Sequence, residues 1–161
     1  MVRRPVGIQV LTPEDWRVWR ELRLAALTEA PDAFGSRLED WADAGEERWR
    51  DRLSMPGSHN LVARLDDAPV GMASGIPGQS PQVAELISMW VSPEARGRGV
   101  GDVLIEEVTG WAAGRGARVL ELAVVKGNGA AIGLYRRHGF EDIGGAEGER
   151  MMAKPLPVAR R

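Results

Sequence analysis

The 161 residues contain no cysteine, which excludes disulfides, thiolate nucleophiles and Cys-ligated metals. Histidine is nearly as scarce, and His59 and His138 lie far apart with no ligand-spacing motif around either, so no metal site is expected. No apolar run approaches the roughly 20 residues that a membrane span needs. The start Met1-Val2-Arg3-Arg4-Pro5 lacks the apolar block that follows in a signal peptide, so a cytoplasmic chain with no membrane contact is expected. A broad basic excess is missing too. The formal net charge is −2, which argues against general nucleic-acid affinity.

What remains is ordinary soluble material. A composition 43% hydrophobic and 27% charged suits a single domain over 1–161 with a sizeable core. Gly7 to Leu11 reads as a short strand, and Thr12-Pro13-Glu14-Asp15 as a helix start, with Thr as N-cap, Pro at the first helical position and acids in the first turn. That helix should run to about Ala30, with Trp16 and Trp19 as core or groove-wall residues, before a loop at Pro31–Gly35. A second helix is expected from about Glu39 to Leu53. The period then changes: Asn60 to Leu65 and Val70 to Ile76 read as a hairpin through Asp66-Asp67-Ala68-Pro69, and Val83 to Val91 as a further strand. Gly99 to Ala113 carries apolar residues at 100, 103, 104, 108 and 111, an amphipathic helix closed by Gly114 and Gly116. Val119 to Val125 reads as a buried strand, Asn128 to His138 as a last helix, and Phe140 to Ile143 and Arg150 to Ala153 as closing strands. The strand-helix-strand unit makes a parallel crossover and the hairpins make antiparallel neighbours. An α/β (α+β) domain follows, with a mixed, mostly antiparallel sheet of about seven strands flanked by four helices.

One segment stands out for chemistry. Arg96-Gly97-Arg98-Gly99-Val100-Gly101 falls between a strand ending at Val91 and a helix starting near Gly99. Glycines at alternate positions let backbone approach a bulky anion, and the helix N-terminus aims unpaired N–H groups and a positive dipole end at the same place. Arg96 and Arg98 add phosphate donors. A dinucleotide fingerprint fails on spacing, because Asp102 or Leu104 falls where the last glycine belongs, and a P-loop fails because no Lys-Ser/Thr closes the loop.

With that loop placed, the chain resembles the GNAT N-acetyltransferase superfamily. Glu85-Leu86-Ile87-Ser88-Met89-Trp90-Val91-Ser92-Pro93 is similar to the family's fourth strand, and Arg96 to Gly101 to its Gln/Arg-x-x-Gly-x-Gly/Ala cofactor motif. Asn128, Ala131, Leu134, Tyr135, Gly139 and Phe140 match the later Asn-x-x-Ala-x-x-Leu-Tyr-x-x-x-Gly-Phe pattern. The resemblance implies an acetyl-CoA site. Backbone groups of Met89, Trp90 and Val91 would meet the pantetheine arm, and amides from Arg96, Gly97, Arg98, Gly99, Val100, Gly101 and Asp102 the pyrophosphate. Asn128 and Ala131 would border the far arm. Asp102 departs from the small or basic residue usual there: a carboxylate suits the helix dipole but repels phosphate unless it points away or pairs with Arg98.

Acetyl transfer to an amine needs a neutral amine, a stabilised oxyanion and a proton for the thiolate. Tyr135, one turn after Ala131 on the same helix face, is the candidate general acid, against a plain core tyrosine with a satisfied hydroxyl. Glu85 lies six residues before Val91, an even offset that points both to one face of an unbulged strand, and the resemblance, in which a glutamate at this offset acts as base, makes it the candidate base. Glu121 or solvent is the alternative base, and an N–H near Val91 the oxyanion donor. The resemblance places the acceptor cleft between 27–37 and 144–149, where Phe34 and Trp41 offer apolar walls and Asp32, Glu147 and Glu149 attract a cation. The expected partners are acetyl-CoA and a primary amine of a small molecule or peptide, in a ternary complex; a homodimer is compatible with this reading. The competing readings are a non-catalytic acyl-CoA-binding regulatory module and an acetylase of aminoacyl-tRNA, for which the charge supplies no basic face.

Overall fold

The computed structural model describes residues 5–31 and 37–157. Seven strands form one sheet: β1 (Gly7–Val10), β2 (His59–Leu65), β3 (Ala68–Pro77), β4 (Val83–Val91), β5 (Val119–Val125), β6 (Glu141–Gly144) and β7 (Glu149–Pro155). Their order is β1-β2-β3-β4-β5-β7-β6, antiparallel throughout except for the β4–β5 pair. The β2–β3 hairpin turns at Asp66 and Asp67, both with positive φ, +50° and +67°, the twist that a two-residue hairpin turn needs.

Among the described residues five α-helices cover the sheet: α1 (Trp16–Glu29), α2 (Leu38–Trp41), α3 (Glu46–Leu53), α4 (Val100–Gly114) and α5 (Gly129–Arg137). The expectation of four is corrected here, because the stretch read as one helix from about Glu39 to Leu53 breaks after Trp41. Gly45 restarts it as the extended N-cap of α3. The first helix begins with a single 3-10 turn at Pro13–Asp15, held by the Thr12 N–H donating to the Asp15 carboxylate at 2.8 Å. The expected loop at Pro31–Gly35, with the wall candidates Asp32 and Phe34, lies almost wholly outside the described residues.

Alternation along the strands divides the interior into two cores. Leu61, Ala63, Ala73, Ala84, Leu86, Leu120 and Leu122 face α4 and α5. Val62, Met72 and Trp90 face α1 and α3, where Trp19 and Trp49 are fully buried. Each buried large side chain contributes roughly 1.5–3 kcal/mol, so both faces are held by ordinary apolar burial. Gly75 is required for the α4 side, since a Cβ there would lie 2.4 Å from the Trp111 ring. Among the described residues no helix is long and apolar enough to cross a membrane.

β4 is bulged. Met72 pairs with Trp90 but Ser74 pairs with Ile87, so Ser88 and Met89 together oppose Ala73, and Ser88 takes φ +54°. The extra residue reverses the facing. Ala84 and Leu86 point toward α4, and so do Met89 and Val91, while Glu85 and Trp90 point the other way. Glu85 and Val91 therefore do not share a face, because the condition of an unbulged strand is not met.

Candidate functional site

The two parallel strands of the crossover stay together for three residues only. Val83, Ala84 and Glu85 pair with Val119, Leu120 and Glu121, after which β5 continues against β7 and the β4 edge is left without a neighbouring strand. The Ser92 N–H donates to Val70 O at 2.8 Å, so alternation turns the Trp90 peptide toward β3 and the Val91 N–H away from it, into the opening. An extended chain carrying amides can pair with such an edge as an added strand.

The glycine loop closes one end of this opening. Gly97 and Gly99 have φ +79° and +83°, which L side chains adopt at a cost, and a Cβ at either would meet nothing within 4 Å. Gly99 is the N-cap of α4, and the first bond back into the loop runs from Val103 N to Gly99 O at 3.1 Å. The N–H groups of Val100, Gly101 and Asp102 thus precede the helical ladder, the unpaired first-turn amides from which an anion cradle can be built. Gly101 permits close packing: a Cβ there would come within 2.9 Å of Leu134 Cδ2 and 3.4 Å of Met89 Cε. This combination of open strand edge, left-handed glycines and orphan amides fits a pantetheine-and-pyrophosphate group.

The loop's charged residues divide by task. Arg98 is exposed and has no partner among the described residues, as a phosphate ligand needs. The Arg96 side chain is already committed: its Nε donates to Val91 O at 3.1 Å and its Nη2 to Glu29 Oε1 at 2.8 Å. Trp90 Nε1 donates to the other oxygen of the same carboxylate at 3.2 Å, so Glu29 ties α1 to both β4 and the loop. Asp102 pairs not with Arg98 but with α5, through His138 Nε2 at 2.7 Å and Arg137 Nη2 at 3.2 Å. The His138 contact, followed by Arg137, holds its carboxyl below the usual range. Its charge is thereby answered within the protein, which relieves the repulsion expected toward phosphate.

Asn128 caps α5, its Oδ1 accepting from the Ala131 N–H at 3.3 Å; that leaves its amide donors for other use. Tyr135 is 6% exposed and packs edge-on against Phe140 at 5.8 Å between centroids. Burial pushes its hydroxyl well above the ordinary value. That hydroxyl makes no hydrogen bond with any described residue, so it is not the satisfied core tyrosine of the bland alternative. On the other sheet face Glu85 and Glu121 stand in register on adjacent strands where the opening begins. Of the wall candidates, Trp41 is half-buried, 4.8 Å from Trp49, and Glu147 and Glu149 are exposed. Among the described residues no group of acidic or histidine side chains is arranged to hold a metal.

Comparison with known proteins decides the family. The profile described as Acetyltransferase (GNAT) family matches residues 16–140. The chain belongs to this family. It is 41% identical over 134 residues to an uncharacterized N-acetyltransferase of Methanocaldococcus jannaschii, a match covering 78% of this chain and 56% of that protein. The chain thus spans little more than half of that relative. It is 32% identical over 128 residues to the N-alpha-acetyltransferase RimI of Mycobacterium tuberculosis, covering 75% of this chain and 79% of the relative. The fold is similar to that of the PaiA N-acetyltransferase of Thermoplasma acidophilum, solved with coenzyme A, with TM-score 0.77, 20% identity, and coverage of 94% of this chain and 99% of that one.

Sequence reasoning missed Glu29, His138, Ser88 and Arg52. Each acts through a partner distant in the chain, up to 67 positions for Glu29 and Arg96, and no local pattern marks them.

Proposed function

We propose that the protein moves an acetyl group from acetyl-CoA directly to a primary amine held in the same complex. The observation that carries this is the opening between β4 and β5 with the glycine cradle at its end. Acetyl-CoA supplies an activated acyl thioester with a thiolate leaving group. The loop amides from Gly97 to Asp102, with Arg98, hold its phosphates, and the free edge around Val91, not the Trp90 peptide that faces β3, holds its amide arm.

The Val91 N–H, pointing into the opening, stabilises negative charge developing on a carbonyl oxygen there. Tyr135 keeps its proton across the neutral range because burial raises its pKa, and a hydroxyl with no protein partner is available to donate to a departing thiolate. Glu85, with Glu121 beside it, takes the proton that an ammonium must lose before it attacks. The names of the relatives, among them an N-alpha-acetyltransferase, support an amine acceptor.

The test is thiol release from acetyl-CoA against a panel of amino acids, peptides, polyamines and aromatic amines, with product mass confirming N-acetylation. Acetylation of at least one amine that depends on Tyr135 is the expected result. CoA binding without turnover across the panel would replace this reading with the acyl-CoA-binding module.

A further inference from the structure

α3 is a charged helix whose buried face is narrow: Trp49 and Leu53 go fully inward, and Arg52 sits beside them. Its guanidinium reaches under the sheet. Nη1 donates to Asn60 Oδ1 at 3.0 Å, and Nη2 to Ser74 Oγ at 3.1 Å and to Ser88 Oγ at 3.3 Å. Asn60 and Ser74 are themselves buried, at 2% and 0% exposure, and bonded to each other at 2.6 Å. The Trp19 ring lies 4.9 Å from the Arg52 carbon Cζ.

All three acceptors are neutral. No carboxylate among the described residues pairs with Arg52, although Arg50, two residues earlier and more exposed, has two. Burial, and after it the like charge of Arg23, lowers the Arg52 pKa to about 10. Among the described residues this buried cation faces neutral dipoles, the Trp19 ring and another cation, which is costly, and an anion would relieve it. The guanidinium has five N–H donors, of which the three bonds above use three.

The position matters as much as the charge. Ser88 is the bulge residue of β4, and its neighbours Met89 to Val91 form the open edge where transfer is proposed. Glu85 faces the same side three residues earlier on the strand. An anion bound to Arg52 therefore lies next to the point where an amine must arrive. We infer that Arg52 is a carboxylate subsite and that the acceptor is a small α-amino acid, whose carboxylate and amine sit on one carbon and so span this short separation. The inference rests on the acetyl-transfer reading above.

The experiment measures kcat/KM for the common α-amino acids, for their α-carboxamides, and for a tripeptide whose terminal amine is remote from its carboxylate. It is run on the wild-type protein, Arg52→Gln and Arg52→Lys. Charge-assisted hydrogen bonds of this kind correspond to about 10- to 100-fold, so the free acids should exceed their carboxamides by that ratio. The ratio should fall to about 1 in Arg52→Gln and partly return in Arg52→Lys. Equal use of acids, carboxamides and tripeptide by the wild type overturns the inference. So does an Arg52→Gln loss equal for acid and carboxamide with CoA binding intact, which marks Arg52 as a brace for the bulge. If no amine is acetylated, the acetyl-transfer reading fails on its own. Calorimetry of the same amino acids on the CoA-loaded protein then decides the subsite: binding lost in Arg52→Gln sustains it, and no binding to the wild type overturns it.

Discussion

Replacing Tyr135 by Phe removes one oxygen and leaves the rest of the site in place. The ring keeps its edge contact with Phe140 and its burial against the α4-side core, and no internal hydrogen bond is broken. Stability should therefore stay within about 0.5 kcal/mol, a small change for a substitution without a cavity or an orphaned group. Melting should move by no more than roughly 2 °C for a chain of this size. Turnover is another matter. A positioned acid contributes about 100- to 10,000-fold, equivalent to about 2.7–5.5 kcal/mol of barrier. The assay is thiol release at saturating acetyl-CoA and acceptor, with CoA affinity from calorimetry and melting from scanning calorimetry on the same preparation. The expected pattern is a large loss in kcat with near-constant affinity and stability. A variant with kcat within twofold of wild type, using an acceptor for which thiolate departure limits the rate, would refute the assignment.

Glu85→Gln should slow acetylation near neutral pH and recover part of the rate as pH approaches the amine's own pKa, seen as divergence of the acid limbs in kcat/KM profiles; parallel profiles of equal height would make Glu85 structural and move the base to Glu121 or solvent. Gly99→Val places an L side chain at φ +83°, costing roughly 1–2 kcal/mol, and crowds the anion cradle, so CoA affinity by calorimetry should fall by about tenfold or more while the chain stays folded. Asp102→Asn removes a carboxylate whose pKa is depressed in the folded state. Its stabilisation is present above the ordinary carboxylate pKa and lost as pH falls through the lower folded value, so melting should drop at pH 7 and match wild type in acid. With the carboxylate 38% exposed, the loss at pH 7 should stay below about 1 kcal/mol.

The elements were readable because their apolar periods are clean. Val119 to Val125 is continuous, and Val100, Leu104, Ile105 and Val108 mark one face of α4. The glycine loop was readable because three glycines beside a helix start have few other uses. The bulge was not. Leu86 to Met89 contains no glycine or proline to mark it, and Ser88 takes a left-handed φ through its contacts in the sheet, not through its own preference. Arg52 was hidden for another reason. α3 carries six charged residues in Glu46–Leu53, and only the packing of α3 under β2, β3 and β4 singles out one of them for burial.

The bulge also accounts for how one strand serves two sides of the site. Without it, β4 would alternate regularly, and Glu85 and Val91 would lie on the same face. One added residue sends Met89 and Val91 beneath α4, where they seat the first turn at Gly101, and turns Ser88 toward Arg52 on the opposite layer. β5 leaves β4 after Glu85, three residues before the bulge residue, so the bulged end of β4 is the part whose edge stands open. Glu29 then locks that end in place by accepting from Arg96 and Trp90 together. Edge, glycine loop and α1 are thereby joined through a single carboxylate, which spans the loop and the face where the acceptor is proposed to bind.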